Sequence, residues 1–269
     1  MPFTVSHVAA VLPGYRALSR AHVFSAAVIG SMVPDFGLLL PGSPARFHTH
    51  SLPGLFSYCL PMGLAAYALT LALIKPAVME IVPDGAYARL RAADAAAPPM
   101  MSLRSWFYAA LAILLGAVTH LLWDTFTHEN AAGVRMFPVL NEFAPELDGH
   151  TLQLYRWAQY GSSIIGLVIV IVAVVLWLRH TPSGPSRHPP RRLHLAERLC
   201  WIGLYFVLPL LAIPASLWHA QPAGLASLPA GIWLDRVAIV GMRASIVTLM
   251  LVSLLLRARL AFARQVPHS

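Results

Sequence analysis

Three ionisable side chains lie four residues apart in an otherwise apolar stretch that begins at Trp106. In the segment His120-Leu-Leu-Trp-Asp124-Thr-Phe-Thr-His128, the helical repeat of about 100° per residue places all three on one face. Imidazole and carboxylate groups are common ligands of divalent metals. An ionisable group at membrane depth is costly and normally faces a partner or a wet cavity. The pattern therefore predicts a metal-binding edge on this helix.

The helical rise limits how an ion uses this edge. At about 1.5 Å per residue, the Cα atoms of His120 and His128 are roughly 12 Å apart, so one ion takes two adjacent members of the triplet more readily than all three. Two alternatives follow. Either His120 and Asp124 bind one metal while His128 supports a ligand or contacts the substrate, or two ions share Asp124 as a bridge.

The composition indicates a membrane protein. Of 269 residues, 58% are hydrophobic and 11% are charged, with a mean hydropathy of +0.66, whereas ordinary globular domains carry about 25% charged residues. We expect an all-α, polytopic membrane helix bundle with about six transmembrane helices, forming one integral-membrane domain over residues 1–269. The windows apolar enough to span a bilayer with roughly 20 residues are Ala21 to Leu40, Leu52 to Ile74, Trp106 to Phe126, Ala158 to Leu178, Leu199 to Trp218 and Val237 to Leu256.

The basic residues favour one orientation of these spans. If the N-terminus is inside, fourteen Lys and Arg residues fall in cytoplasmic segments and five outside, which is the asymmetry of the positive-inside rule. We therefore predict that both termini are cytoplasmic, and that the net charge of +8 is a topology signal and not a nucleic-acid surface. The opening Met-Pro-Phe-Thr-Val-Ser-His lacks a basic n-region, so we expect no cleavable signal peptide.

This orientation brings separated motifs to the extracytoplasmic side. Asp35 ends the first span, and Arg46 and His50 follow in the next short loop. We expect Asp35 and His50 to complete the metal ligands begun by the third span. His7 is a further candidate ligand, but a cytoplasmic N-terminus places it across the membrane unless residues 3 to 13 are re-entrant or the first span is misassigned.

The candidate site residues are unevenly distributed along the chain. Residues 1–160 form the half that carries the motifs. Residues 179–198 are predicted to be a basic, Pro-rich cytoplasmic linker, and residues 199–269 read as scaffold helices. Cys59 and Cys200 fall in separate spans and are expected to be packing residues.

Four ordered motifs carry a resemblance to a known family. They are Met1-Pro-Phe-Thr-Val-Ser-His7-Val-Ala, Ile29-Gly-Ser-Met-Val-Pro34-Asp35-Phe, His48-Thr-His50-Ser-Leu-Pro-Gly-Leu-Phe-Ser-Tyr-Cys-Leu-Pro and Thr119-His120-Leu-Leu-Trp-Asp124-Thr-Phe-Thr-His128. The series resembles an uncharacterised family of bacterial integral-membrane proteins, through Gly166. It is more distantly similar to predicted inner-membrane metal-dependent hydrolases, which implies a divalent-metal site and hydrolysis. One departure is that the wider group commonly has His-Arg before Thr-His-Ser, where this chain has Arg46-Phe-His48.

These observations predict a metal-dependent hydrolase acting on an ester or phosphoester of a lipid or amphipathic compound, at the outer face of the bacterial inner membrane. Zinc is the foremost metal, with manganese and iron as alternatives. Arg46 and His128 are expected to stabilise developing negative charge, and Glu129 is a candidate proton carrier.

The alternative is a non-enzymatic metal-binding membrane protein: a transporter, a sensor or a structural partner. A transporter is disfavoured because the last three spans carry almost no polar residues that could line a pathway. The expected partners are membrane lipids and a lipid or amphipathic substrate, without nucleic acid.

Overall fold

The computed structural model describes residues 4–39, 45–95, 102–147, 150–183, 193–219 and 230–265. These residues are helical apart from one short β-hairpin, which confirms the predicted all-α class. Contacts divide the chain into two compact units. The first comprises Met1–Tyr67, Ala97–Arg179 and Pro229–Gly231, and the second comprises Ala68–Ala96, His180–Leu228 and Ile232–Ser269.

Eleven α-helices, numbered in chain order, are present in the described residues. They are α1 (Tyr15–Arg20), α2 (Phe24–Gly30), α3 (Phe36–Leu39), α4 (Arg46–Thr49), α5 (Leu52–Ile81), α6 (Asp84–Ala95), α7 (Leu103–Asp124), α8 (Ala132–Met136), α9 (Leu154–His180), α10 (Leu195–His219) and α11 (Ala230–Gln265). Three short 3₁₀ segments, Thr4–Gly14, Val33–Asp35 and Pro138–Asn141, and an antiparallel hairpin of β1 (Phe143–Leu147) and β2 (His150–Gln153) accompany them.

Five helices in the described part of the chain are long and apolar enough to cross a membrane, in agreement with five of the predicted windows. These are Leu52–Ile81, Leu103–Asp124, Leu154–His180, Leu195–Ala212 and Arg236–Phe262. The chain therefore has the character of an integral membrane protein. Residues 184–192 of the predicted basic linker lie outside the described residues.

The remaining window, Ala21 to Leu40, is not one continuous helix. Its apolar core forms the shorter segment Phe24–Leu38, in which α2 ends at Gly30 and a 3₁₀ turn covers Val33–Asp35. Pro34 lacks the N–H that an α-helix interior requires, so the sequence favours a break at this point. The break places Asp35 in a tight turn.

Residues 4–35 form a hairpin that lies along α7, which we call the N-terminal hairpin. At one end His7 lies beside Asp124. At the other end Arg20 and Val23 line a cavity together with Ser102, which caps the N-terminus of α7. The chain returns along α7 through α2 and reaches Asp35, so the hairpin begins and ends at the Asp124 end of α7.

Two glycines allow α2 and α7 to touch backbone to backbone. A Cβ at Gly30 would lie 2.2 Å from the carbonyl oxygen of Ile113, and a Cβ at Gly116 would lie 2.2 Å from that of Ala27. Real Cβ atoms do not approach oxygens so closely, so no larger residue fits without moving a backbone. This contact fixes the hairpin against α7 and positions the ends of both segments.

The second unit has its own small core and an ion pair. Ala77, Ile81 and Leu256 are buried together, with partly buried Trp201 and Tyr205 packed against them. Tyr205 Oη lies 2.9 Å from Ser253 Oγ, and Arg259 pairs with Glu197.

Candidate metal centre

The structure brings together four predicted ligands at the Asp124 end of α7. Asp35, His50, His120 and Asp124 each offer one donor atom, and these four atoms all lie within 4.8 Å of one another. Asp35 comes from the 3₁₀ turn of the hairpin, His50 follows α4, and the other two lie one turn apart on α7. We call these residues the four-donor cluster. It is the only candidate metal cluster in the described ranges.

The distances within the cluster suit ligands around a common ion. His50 Nε2 lies 3.5 Å from Asp35 Oδ1 and 3.4 Å from Asp124 Oδ2. His120 Nε2 lies 3.7 Å and 3.5 Å from the same two oxygens. Hydrogen bonds between nitrogen and oxygen are usually 2.7–3.2 Å long. Ligands bound tetrahedrally at about 2.0–2.2 Å from a zinc ion lie roughly 3.3–3.6 Å from one another.

The two imidazole nitrogens that face this centre have no hydrogen-bond partner. His50 Nε2 and His120 Nε2 are both buried and unpaired, and the His120 side chain is fully buried. A buried polar atom without a partner is rare in native proteins and is often explained by an ion or a water. The cluster therefore fits a divalent cation in both geometry and donor chemistry.

The opposite ring nitrogens are held by groups that fix the tautomer. His120 Nδ1 donates to the carbonyl oxygen of Ser31 over 2.7 Å, because a carbonyl can only accept. His50 Nδ1 lies 3.2 Å from the carbonyl oxygen of Arg46 and 2.9 Å from Thr49 Oγ1. A proton on Nδ1 leaves the Nε2 lone pair free to bind a metal. Both rings are thus oriented as ligands.

One further bond orients the buried carboxylate of Asp35. Thr4 Oγ1 donates to Asp35 Oδ2 over 2.8 Å, which leaves Oδ1 facing the two histidines. Thr4 and Asp35 are both buried. The bond connects the first and last residues of the N-terminal hairpin, so the hairpin itself sets the direction of this ligand.

His7 and His128 occupy the other side of Asp124. His7 Nε2 and His128 Nδ1 lie 3.6 and 3.4 Å from Asp124 Oδ1, and His128 Nε2 lies 3.2 Å from Gln159 Nε2. The His7 ring stacks on that of His120 with centroids 3.7 Å apart. Neither residue belongs to the four-donor cluster. The arrangement matches the alternative in which one ion takes His120 and Asp124 while His128 stands beside them.

Burial makes His128 a neutral group. It lowers the pKa of His128 to about 4, so the ring is uncharged at pH 7. A neutral imidazole has one donor and one acceptor nitrogen, so it can lie between the Asp124 carboxylate and the Gln159 amide.

Arg46 contacts a predicted ligand directly. Its Nη2 donates to Asp124 Oδ2 over 2.5 Å, with about one third of the Arg46 side chain exposed. The buried Nε has no hydrogen-bond partner. Arg46 therefore neutralises Asp124 and still has a donor for another group.

A cavity of about 540 Å³ adjoins the centre. Asp124, His50, His128 and Arg46 line it, together with apolar side chains. Glu129 also lines it and is exposed, outside the four-donor cluster. The cluster thus has one face that solvent or a substrate can reach.

Four residues of this site lacked a recognisable signal in the sequence. Thr4 and Ser31 hold two ligands, Gln159 contacts His128, and Arg135 lines the cavity. Thr4 and Ser31 lie inside motifs that were identified for their neighbours. Gln159 could have been noticed as a polar residue at the start of a spanning helix, since such residues normally face a partner.

Comparison with known proteins gives one result. The family model described as "Domain of unknown function (DUF4184)" matches residues 1–256. No curated protein and no solved structure matches the chain.

Proposed function

Because that match covers nearly the whole sequence, the chain belongs to the DUF4184 family, and we propose that it is a membrane-bound metal-dependent hydrolase whose ion is held by the four-donor cluster. The observation that carries the proposal is the pair of buried, unpaired Nε2 atoms of His50 and His120 facing two carboxylate oxygens at 3.4–3.7 Å. A bound divalent cation supplies Lewis acidity that activates water and polarises an ester or phosphoester.

Two nitrogen and two oxygen donors suit zinc, with manganese and iron as alternatives. Four protein ligands are typical of a closed structural zinc site, whereas catalytic sites keep a position for water. The cavity beside His50 and Asp124 supports an open face at this centre. In catalysis, water would reach an ion held by the four-donor cluster from the cavity side.

The reaction adds water across an ester bond of a lipid or amphipathic compound. The water oxygen bonds to phosphorus or to the carbonyl carbon, and the ester oxygen leaves as an alcohol after taking a proton. Exposed Glu129, which lines the cavity, is the candidate to accept the proton from water. Arg46 is placed to bind negative charge on the substrate. His128 contacts Asp124 and helps to orient this carboxylate.

The second candidate is a non-enzymatic metal protein, either a sensor or a structural partner of another complex. The observation that favours it is the number of donors, since four protein ligands alone can saturate a tetrahedral ion. In that case the metal would stabilise the contact between the N-terminal hairpin and α7, and hydrolysis would be absent.

The test begins with metal content. Elemental mass spectrometry on detergent-purified protein should find a stoichiometric divalent metal in wild type and little in His50→Ala. His48→Ala is the matched control, because His48 lies two residues away but contacts Ser57 Oγ at 3.0 Å and not the cluster. Wild type without metal after reconstitution would refute the proposal. A metallated wild type that hydrolyses neither lipid esters nor phosphoesters would favour the structural alternative.

We assign the centre to the extracytoplasmic face of the bacterial inner membrane. The hairpin carries Arg20 to the opposite end of α7 from His7. When the spans are followed in order, fourteen Lys and Arg residues lie on the side of Arg20 and five on the side of the metal centre. The positive-inside rule therefore favours a metal centre on the outer side. This assignment places His7 on the outer side together with the cluster, and a re-entrant N-terminal hairpin accounts for that position.

Single-cysteine labelling tests this orientation after Cys59 and Cys200 are replaced by Ser. An impermeant maleimide should label Val5→Cys in intact cells, because Val5 is exposed near His7. Arg20→Cys should react only after permeabilisation. The reverse pattern would place the metal centre in the cytoplasm.

A further inference from the structure

One wall of the cavity beside the four-donor cluster is formed by aliphatic side chains. Val118, Leu121 and Leu122 of α7 form part of this wall, and Leu52 and Leu55 of α5 contribute the other part. Both helices are candidate membrane spans. The apolar wall therefore lies on segments whose outer surfaces contact lipid.

The wall is open to the surroundings of the protein. Leu122 is 59% exposed, Leu52 is 75% exposed and nearby Phe47 is 82% exposed. In a spanning protein, exposed leucines on such helices face hydrocarbon and not water. A molecule already in the bilayer can thus reach the cavity sideways, with its chain staying in an apolar environment.

The other end of the cavity is polar and carries two arginines. Arg46 and Arg135 both line it, and Arg46 Nε has no hydrogen-bond partner. Arg135 donates one Nη1 bond to the carbonyl oxygen of Asn130 over 2.8 Å. When a divalent ion offsets the negative charges of Asp35 and Asp124, the two positive charges of these arginines exceed the single negative charge of Glu129, the remaining carboxylate of the lining. This end suits an anion such as a phosphate group.

We propose that the cavity takes the phosphate ester of a lipid directly from the bilayer, with its phosphate at Arg46 and the four-donor cluster and its hydrocarbon chain along Val118 and Leu122. This inference rests on the proposed function, because the proposed ion offsets the carboxylates that would otherwise repel the phosphate. A cavity of about 540 Å³ falls within the range of roughly 300–1,000 Å³ typical of small-molecule sites. It therefore accommodates a headgroup and the upper part of a chain.

The test uses two leucines of one helix. Leu122→Trp places an indole in the cavity, whereas Leu115→Trp makes the same change at a similarly exposed position, 49% against 59%, that does not line it. Binding of dioctanoyl phosphatidic acid, dioctanoylglycerol and inorganic phosphate is measured by thermophoresis in neutral detergent. Arg46→Gln tests the anionic end.

We expect the phosphatidic acid to bind wild type and Leu115→Trp equally, and Leu122→Trp and Arg46→Gln about tenfold or more weakly, a loss comparable to one good contact. Dioctanoylglycerol and inorganic phosphate should bind more weakly than the phosphatidic acid. Equal binding by the two Trp variants would overturn the proposal. So would inorganic phosphate that binds as tightly as the lipid, since the site would then recognise free phosphate.

Two further readouts separate this inference from the proposed function. Metal content and hydrolysis of the water-soluble bis(4-nitrophenyl) phosphate are measured on the same preparations. Metal content retained in Leu122→Trp, with lipid binding lost, supports the lipid site. Hydrolysis in wild type without any difference between the Trp variants in lipid binding overturns the lipid site and leaves the hydrolase intact.

Discussion

Two regions of the molecule bury charged or ionisable groups, and they do so in opposite ways. In the second unit, Arg198 is 9% exposed, and all three of its guanidinium nitrogens donate, to Asp84 Oδ1, the carbonyl of Val82 and that of Ile81. In the first unit, His50 and His120 leave Nε2 unpaired beside two carboxylates. A charged group that is buried for stability has its donors paired, whereas two ring nitrogens of the four-donor cluster are unpaired. The contrast supports the proposal that the four-donor cluster binds an ion.

Removing a donor from the cluster should give the largest effect. Asp124→Asn keeps the size of the side chain but removes a charged ligand, and we expect metal affinity to fall by more than about 100-fold, beyond the loss typical of outer partners. Competition with a fluorescent chelator measures the affinity. Asp35→Asn should behave alike. Unchanged metal affinity in both variants would show that the two carboxylates only stabilise the fold, as Arg198 does.

A larger residue in the contact between the N-terminal hairpin and α7 should lower both the stability of the protein and its metal content. Gly116→Ala places a Cβ 2.2 Å from the Ala27 carbonyl oxygen, and overpacking of this kind costs about 1–3 kcal/mol. Thermal unfolding followed by tryptophan fluorescence and metal content should both decline. Gly203→Ala is the control, since a Cβ there meets nothing within 4 Å. Normal metal loading in Gly116→Ala would separate the hairpin contact from the site.

Replacing the buried Arg198 should lower stability without changing metal binding. Arg198→Met removes charge-assisted bonds to two carbonyls and to Asp84, and we expect a loss of about 2 kcal/mol in the free energy of unfolding. Its metal content should equal that of wild type. A variant that loses metal without losing stability would contradict the division between the two regions.

The smallest effect is expected from a residue that orients a ligand. Thr4→Val removes the bond to Asp35 Oδ2 and should weaken metal affinity about tenfold, the lower end of the cost of losing an outer partner. Thr119→Val is matched to it, because the Thr119 hydroxyl bonds only to the Gly116 carbonyl of its own helix among the contacts described. Equal affinity in the two variants would mean that Asp35 is held by its backbone.

The sequence predicted the members of the four-donor cluster better than it predicted how they are arranged. Helical periodicity placed His120 and Asp124 together, and the motifs added Asp35 and His50. Spacing alone could not tell that His128 faces the other oxygen of Asp124, because that depends on the turn after α7. The partner of Arg46 was also beyond reach, since Asp124 lies 78 residues away along the chain.

The N-terminal region shows why hydropathy gave an incomplete fold. A window of about 20 residues averages over the break between Gly30 and Asp35, and it cannot detect a hairpin built from short pieces. The conflict over His7 was the sign that one assigned segment was not a simple span. Thr4 and Gln159 were missed for a different reason: hydroxyl and amide groups carry no metal-binding signature until their partners are known.

The division of the cluster between two stretches of chain has a consequence for biogenesis. Residues 35 to 50 supply two donors, and the other two arrive only at the end of α7. When the ribosome has made the first 100 residues, the nascent chain holds half a centre and a hairpin without the helix it packs on. Under the proposed function, metal loading therefore follows insertion of α7, and the ion comes from the compartment on the side where α7 ends.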